Sequence, residues 1–164
     1  MLDQQRALLA AIDDAQYVFY SPLLDGTIGG HTRHSLDHLR KPLETWRARE
    51  EIIRYDLRAR HTDVELDRHA ALAQIDSIRE NLLAVEAATP HAWDQSVDAA
   101  FMLSGDGHEF AFASTLSREM AFAVHHAIHH NALVKVLLRH HFPHVEIPDA
   151  FGLAPSTLNF NLAG

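Results

Sequence analysis

The chain contains no cysteine, and this absence removes several kinds of chemistry at once. Without thiols there are no disulfide bonds, no thiolate nucleophile and no thiolate ligands for zinc. Basic residues are also scarce, since 14 Lys and Arg stand against 22 Asp and Glu and give a formal net charge of -8. An acidic chain is poorly suited to bind nucleic acid or an anionic membrane, because both interactions depend on positive charge.

Long apolar runs are missing as well. No stretch approaches the roughly 20 apolar residues that a membrane-spanning helix needs. Met1 is followed by the charged stretch 3–6 rather than by an apolar leader. We therefore expect no membrane association and a cytoplasmic location. Hydrophobic residues make up 47% of the 164 residues, which is enough for one core, and we expect a single domain over residues 1–164.

The apolar periodicity predicts a mainly helical chain. Helical spacing is found at about residues 2–20, 27–46, 63–88 and 115–141. Pro42 is expected to kink or interrupt the second helix. Apolar stretches at 97–103 and 110–113 flank an Asp-Gly turn, which predicts a short β-hairpin before the last helix. The charged segment 50–61 gives no assignable pattern. The predicted fold class is all-α, a four-helix bundle with one long crossover.

Histidine is the abundant residue, with 14 copies. Two groups stand apart in the sequence: His31, His34 and His38, then His125, His126, His129 and His130. On the last helix one seam has steps of three and four residues: Leu116, Glu119, Ala123, His126, His130, Leu133 and Leu137. Two imidazoles one turn apart can converge on one metal ion. His125 and His129 form a second such pair, and spacing alone does not choose between the pairs, although the seam favours His126 and His130.

The histidines also allow interpretations that do not involve a metal ion. A single histidine on an apolar seam is usually a satisfied core residue, and H-x-x-x-H also occurs by chance. On the second helix the histidines lie roughly opposite the apolar face formed by Leu36, Leu39 and Leu43. For His31 or His38 singly, a solvated polar face is the better interpretation. A helix with both faces occupied is either central or contacts a second subunit.

The stretch Ile28-Gly29-Gly30-His31-Thr32-Arg33-His34-Ser35-Leu36-Asp37-His38, together with His126-Ala127-Ile128-His129-His130, resembles the DinB/YfiT-like superfamily, and within it a bacterial group of DinB-like proteins. Residues 55–60, Glu65, Arg68 and the tail 151–158 extend the resemblance over nearly the whole chain. It implies a four-helix bundle with a long crossover, often dimeric. It also implies one divalent metal ion (zinc, nickel or iron) bound by His34, His126 and His130.

The resemblance implies a metal-dependent enzyme, either a hydrolase or a thiol-dependent transferase. Three histidines would leave a coordination position open to water or substrate. Because the chain has no cysteine, a thiol would come from a low-molecular-weight cosubstrate. Glu119 and Asp37 are the candidates for a general base or for orienting a ligand histidine.

Residues near the predicted ion form a candidate pocket. They are His31, Arg33, His38, Tyr55, Arg58 and His129, with Asp56, Arg60 and Arg68 as further cleft residues. Guanidinium groups there suit an anionic substrate, although an ion pair within the chain is the better interpretation of each arginine singly.

Two other function classes are also compatible with the sequence. One is a non-catalytic helical bundle that is stabilised by a metal or senses it, and the other is an interaction domain without metal. The expected partners are a small molecule and a second copy of the chain in a homodimer, with no nucleic acid and no membrane.

Overall fold

The computed structural model describes residues 1–57, 59 and 61–163, without the side chains of residues 162 and 163. Helices in this part of the chain are α1 (Leu2–Ala11), α2 (Asp14–Val18), α3 (Ile28–Ala48), α4 (Asp63–Leu66), α5 (Arg68–Ala88), α6 (Leu116–His141) and α7 (Pro155–Ala163). The strands are β1 (Ile52–Arg54), β2 (Ser96–Met102) and β3 (Glu109–Thr115).

The three strands form one mixed sheet in the order β1-β2-β3. β2 and β3 are antiparallel, from Ser96 opposite Thr115 to Met102 opposite Glu109, where the sequence indicates a hairpin. β1 runs parallel to β2. The prediction of an all-α four-helix bundle is therefore wrong, and the fold is mixed α/β. A strand of three residues in a charged segment is too short to show a period, so only its pairing with β2 reveals it.

Two of the predicted helices are broken by capping residues. The first is interrupted at Ile12, and Asp13 caps the start of α2. The Asp13 carboxylate accepts a hydrogen bond from Gln16 N at 2.7 Å, and the Gln16 side chain accepts one from Asp13 N at 3.0 Å. Asp67 separates α4 from α5, and its carboxylate accepts from His69 N at 2.8 Å. In the tail, residues 155–163 form α7, a helix outside the four that periodicity predicts.

Helix α3 is the central element. It packs against both α5 and α6, and also contacts α2, α4 and β1. Leu36, Leu39 and Leu43 are buried in the main core. The helix begins after Thr27, whose hydroxyl accepts from Gly30 N at 2.8 Å, and it continues through Pro42 without interruption. Both of its faces are thus occupied within one chain.

The sheet covers α3 and α6 with a small second core. Ile53, Tyr55, Val97 and Ala99 are buried there, and Phe122 of α6 packs against them. This packing places the Tyr55 ring beside the histidines of α3. Among the described residues, no helix combines the length and the apolar character needed to cross a bilayer.

Candidate metal centre

The seam of α6 lies against α3. Leu116, Glu119, Ala123 and Leu137 are buried along it, and His126 and His130 are half-buried. His125 and His129 are exposed. The choice between the two histidine pairs, which spacing alone leaves open, is therefore made by packing: the pair on the seam faces α3.

Histidines from α3 and α6 meet between the two helices. Nε2 of His34 lies 2.8 Å from Nε2 of His126. The His38 ring lies 4.2 Å from the His126 ring and 4.5 Å from the His34 ring, measured between centroids. Within the described part of the chain, His34, His38 and His126 form a group whose potential ligand atoms all lie within 4.8 Å of one another. We call these three residues the histidine cluster.

Hydrogen bonding and ring stacking hold the cluster in place. His38 donates from Nδ1 to the backbone oxygen of His34 at 3.0 Å, which fixes the tautomer whose Nε2 carries the lone pair. The Tyr55 ring stacks on His38, with centroids 5.1 Å apart and planes at 16°. Phe122 stacks on His126 at 5.8 Å and 22°. The imidazoles are thus oriented by their neighbours in the way that ligand histidines usually are.

His130 lies beside the cluster, next to His31. Its ring centroid is 4.5 Å from that of His34 and 4.7 Å from that of His126. Its Nδ1 lies 2.9 Å from Nδ1 of His31. Burial, followed by the neighbouring imidazoles, lowers the pKa of His130 to about 3, and burial also lowers the pKa of His31. Nε2 of His31 is buried without a hydrogen-bond partner in the described part of the chain.

The geometry brings two of the three predicted ligands together and adds a third of its own. His34 and His126 face each other, and His130 lies beside both, with its Nδ1 2.9 Å from Nδ1 of His31. A ligand histidine often makes such a contact through the nitrogen that does not bind the ion. His38, expected only as a pocket residue, belongs to the cluster. Its signal in the sequence is its position four residues after His34, the same spacing as between His126 and His130. The predicted ligand set of His34, His126 and His130 stays a prediction.

Glu119 is fully buried and surrounded by donors. Its Oε2 accepts from the Tyr55 hydroxyl at 3.0 Å, and its Oε1 accepts from Ser114 Oγ and from Arg118 Nη1, each at 2.6 Å. Burial and the adjacent carboxylate raise the pKa of Tyr55. Glu119 is therefore connected to the cluster through Tyr55, whose ring lies on His38.

Asp37, the other predicted base, takes part in ion pairs. Its carboxylate contacts Arg33 at 3.2 Å and Arg40 at 3.0 Å. Arg33 is only 9% exposed and also lies 3.5 Å from Glu65. Arg33 is thus paired with both Asp37 and Glu65, so it provides no unpaired positive charge for an anionic substrate.

A cleft of about 580 Å³ opens beside the histidines. Its polar lining includes His31, Arg33, His34, His61, Glu65 and His130, and its apolar lining includes Val18, Tyr20, Leu24 and Leu66. The apolar part comes from α2, the following loop and α4, elements that the sequence does not place near the histidines. A small molecule can reach the His34 side of the cluster through this cleft.

The remaining predicted pocket residues either make contacts away from the histidine cluster, lie exposed at its edge or fall outside the described residues. Asp56 accepts from Met102 N at 2.7 Å and ties the end of β1 to β2. Arg68 pairs with Asp14 at 3.0 Å and donates to Leu9 O at 2.7 Å, which attaches α5 to α1 and α2. The ring of the exposed His129 lies 5.4 Å from that of His130. The predictions for Arg58 and Arg60 fall outside the described residues.

Comparison with known proteins gives one informative relative. Over 110 residues the chain is 34% identical to FK506-binding protein 5 of Rhizopus delemar, a match that covers 65% of this chain and 27% of that protein. The chain thus spans about a quarter of the length of the curated relative it matches. No family model matches the chain.

These comparisons contradict the resemblance to the DinB/YfiT-like superfamily, because the relative carries the name of another class of protein and no family model supports it. Two predicted functions that depend on that resemblance are therefore also wrong. One is a metal-dependent hydrolase or thiol-dependent transferase, and the other is its alternative, a metal-stabilised or metal-sensing bundle. Short histidine motifs report where side chains lie on a helix, and such spacing recurs in unrelated chains. The histidine cluster itself rests on distances and not on family membership.

Proposed function

We propose that the chain binds one divalent transition-metal ion at the histidine cluster. The observation that carries the proposal is the 2.8 Å separation of Nε2 of His34 and Nε2 of His126, with His38 in the same group. Imidazole nitrogens suit zinc, nickel and iron alike, so the donor set gives the class of ion and not its identity. Geometry favours His38 as the third ligand, and the sequence favours His130.

The surroundings of the cluster support a cation there. Two nitrogens bound to one tetrahedral zinc ion lie about 3.3 Å apart, since each is about 2.0–2.1 Å from the metal. The 2.8 Å separation of His34 and His126 is about 0.5 Å shorter, so the two rings would move slightly apart to share one ion. Neutral imidazoles present lone pairs, and the lowered pKa of His130 keeps a competing positive charge away from the cluster at neutral pH. The stacked rings of Tyr55 and Phe122 hold two of the ligands in place.

Three nitrogen ligands leave at least one coordination position for a small molecule. We propose that such a partner enters through the cleft lined by His31, His34 and His130. The partner is proposed as a ligand of the ion, with no reaction assigned to it. A cytoplasmic location is part of the same proposal, and fractionation of cells that express the chain at its natural level tests it.

Elemental analysis of untagged protein tests the metal proposal. Wild type should contain close to one equivalent of a transition metal, and His126→Ala should contain close to none. His125→Ala is the matched control, because His125 is the exposed neighbour on the same helix and should leave the metal content unchanged. Undiminished metal in His126→Ala would contradict the proposal.

A second candidate function comes from the relative. We propose, as an alternative to be tested separately, that the segment shared with FK506-binding protein 5 takes part in binding FK506; its support is the 34% identity over 110 residues. Isothermal titration of the purified chain with FK506 should then give a saturable signal. A flat titration at protein concentrations of tens of micromolar removes this candidate and leaves the metal proposal untouched.

A further inference from the structure

Strand β3 is an open edge of the sheet with an apolar sequence. The strand order β1-β2-β3 leaves its outer side without a neighbouring strand in the described part of the chain. Residues 110–113 are exposed, including Phe110 at 43% and Phe112 at 48%. From Phe110 to Thr115 there is no charged residue and no proline. These are the features that usually protect an edge strand from pairing, so their absence marks β3 as a pairing surface.

The register of the hairpin shows which backbone groups face outward. Leu116 N donates to Gln95 O at 3.0 Å, which continues the β2–β3 ladder by one residue. In an antiparallel pair, hydrogen-bonded positions alternate along the strand. The backbone groups of Phe110, Phe112 and Ser114 therefore face β2. Those of Ala111 and Ala113, and of Glu109 and Thr115 at the ends, face outward.

We propose that β3 pairs with β3 of a second copy of this chain, antiparallel, around a two-fold axis at Phe112. This register pairs all seven residues of the strand. It places the outward-facing backbone of Ala111 opposite that of Ala113 in the other copy, as a hydrogen-bonded pair requires. The result is one continuous sheet of six strands through two copies.

The side chains fit this register. Phe110 lies opposite Ser114 of the second copy, so a large side chain packs beside a small one on each side of the axis. Phe112 lies opposite Phe112 of the second copy, and the two rings form an aromatic cross-strand pair. A groove of about 700 Å³ runs along the same edge, lined by Phe101, Phe112, Ser114, Arg118 and Phe122 among others. Ser114 forms part of its wall, so Phe110 of the second copy lies at the groove. One patch that complements itself is what a two-fold interface requires.

Two double variants test the partner and the register together. A111K/A113K places like charges opposite each other across the axis, whereas A111K/A113E places opposite charges there, and both positions are exposed in the single chain. Light scattering after size exclusion should show a dimer for wild type and for A111K/A113E, and a monomer for A111K/A113K. Circular dichroism checks that all three are folded alike. A monomeric wild type at about 0.1 mM, or an A111K/A113K protein that stays dimeric, overturns the proposal.

Crosslinking gives an independent test, because the chain has no cysteine of its own. At the axis, Phe112→Cys brings two thiols to directly opposite positions, about 4.5 Å apart between Cα atoms. Mild oxidation should therefore convert most of Phe112→Cys into a disulfide-linked dimer. Ala111→Cys is the matched control, since residue 111 faces residue 113 of the other copy, and it should crosslink at least several-fold less. Equal crosslinking of the two variants contradicts the register.

Discussion

At the scale of single residues, Gly152 holds the tail against α6. Its φ of +70° belongs to the left-handed region, and a Cβ there would lie 2.8 Å from both N and Cα of Ala132. Beside it, Phe151 is buried and its carbonyl accepts from Lys135 Nζ at 3.0 Å. We predict that Gly152→Ala lowers the free energy of unfolding by about 2–4 kcal/mol, because strain and overlap with backbone add together.

Urea denaturation measures this change. Gly105→Ala is the control, since a Cβ at Gly105 meets nothing within 4 Å. Equal stability of the two variants would show that the tail does not pack on α6 as described.

The identity of the third ligand is also a question about single residues. His38 is in the histidine cluster, whereas His130 has its Nδ1 turned to His31. We predict that His38→Ala weakens zinc affinity by more than about a hundredfold, because loss of an outer partner alone costs about 10–100-fold. His130→Ala should weaken it less. Competition with a chromophoric chelator measures both, and the reverse order would support the ligand set that the sequence favours.

The sequence predicts part of the candidate site for a clear reason. The four-residue spacing of His126 and His130 puts both side chains on the same face of one helix. The apolar residues of the seam indicate that this face points into the core. The sequence does not fix which rotamer each ring adopts or which ring of α3 it meets. The sequence therefore places His38 only among the pocket residues, although its spacing from His34 contains the needed signal.

At the scale of elements, Thr27 is the N-cap of α3. Thr27 Oγ1 accepts from Gly30 N at 2.8 Å. We predict that Thr27→Ala costs about 1 kcal/mol of unfolding free energy, the typical value for a lost cap. Thr27→Ser keeps the hydroxyl and should lower the unfolding free energy by at most a few tenths of a kcal/mol. Thermal unfolding followed by circular dichroism distinguishes them, and identical melting temperatures for wild type and Thr27→Ala would contradict the assigned cap.

Element prediction succeeded where the signal is local. The long helices α3, α5 and α6 and the hairpin of β2 and β3 follow from periodicity and from one turn motif. β1 could not be predicted, because its three residues are held by a parallel partner more than 40 residues away in the sequence. The breaks at Asp13 and Asp67 depend on side-chain hydrogen bonds to backbone amides, which apolar periodicity does not report.

At the scale of the whole molecule, stability should depend on pH through buried histidines. The folded metal-free protein keeps His31 and His130 neutral, because burial lowers the pKa of His31 and lowers that of His130 to about 3. The unfolded chain protonates histidine near pH 6.5. Below that pH the unfolded state binds more protons, so stability falls as the pH drops from 6.5 towards 4, and it gains nothing from these groups above 6.5.

Urea denaturation of chelator-treated protein at pH 7.5, 6 and 5 measures this dependence. His130→Gln removes one titrating group and should flatten the curve. A pH dependence that His130→Gln leaves unchanged would show that this histidine does not contribute to it.

The assignment of fold class and function failed at this largest scale. Periodicity reports each helix separately and says nothing of a sheet whose strands come from distant parts of the chain. Short histidine motifs likewise report local spacing, and they led to a family that the comparisons do not support. The distances within the cluster are independent of that error.

The location of a bound ion tests the metal proposal most directly. Anomalous diffraction at the zinc absorption edge, from crystals of zinc-loaded protein, should show one strong peak at about 2.0–2.1 Å from imidazole nitrogens of His34, His126 and a third histidine. A peak at any other place in the molecule, or no peak between α3 and α6 with excess zinc, would contradict the account.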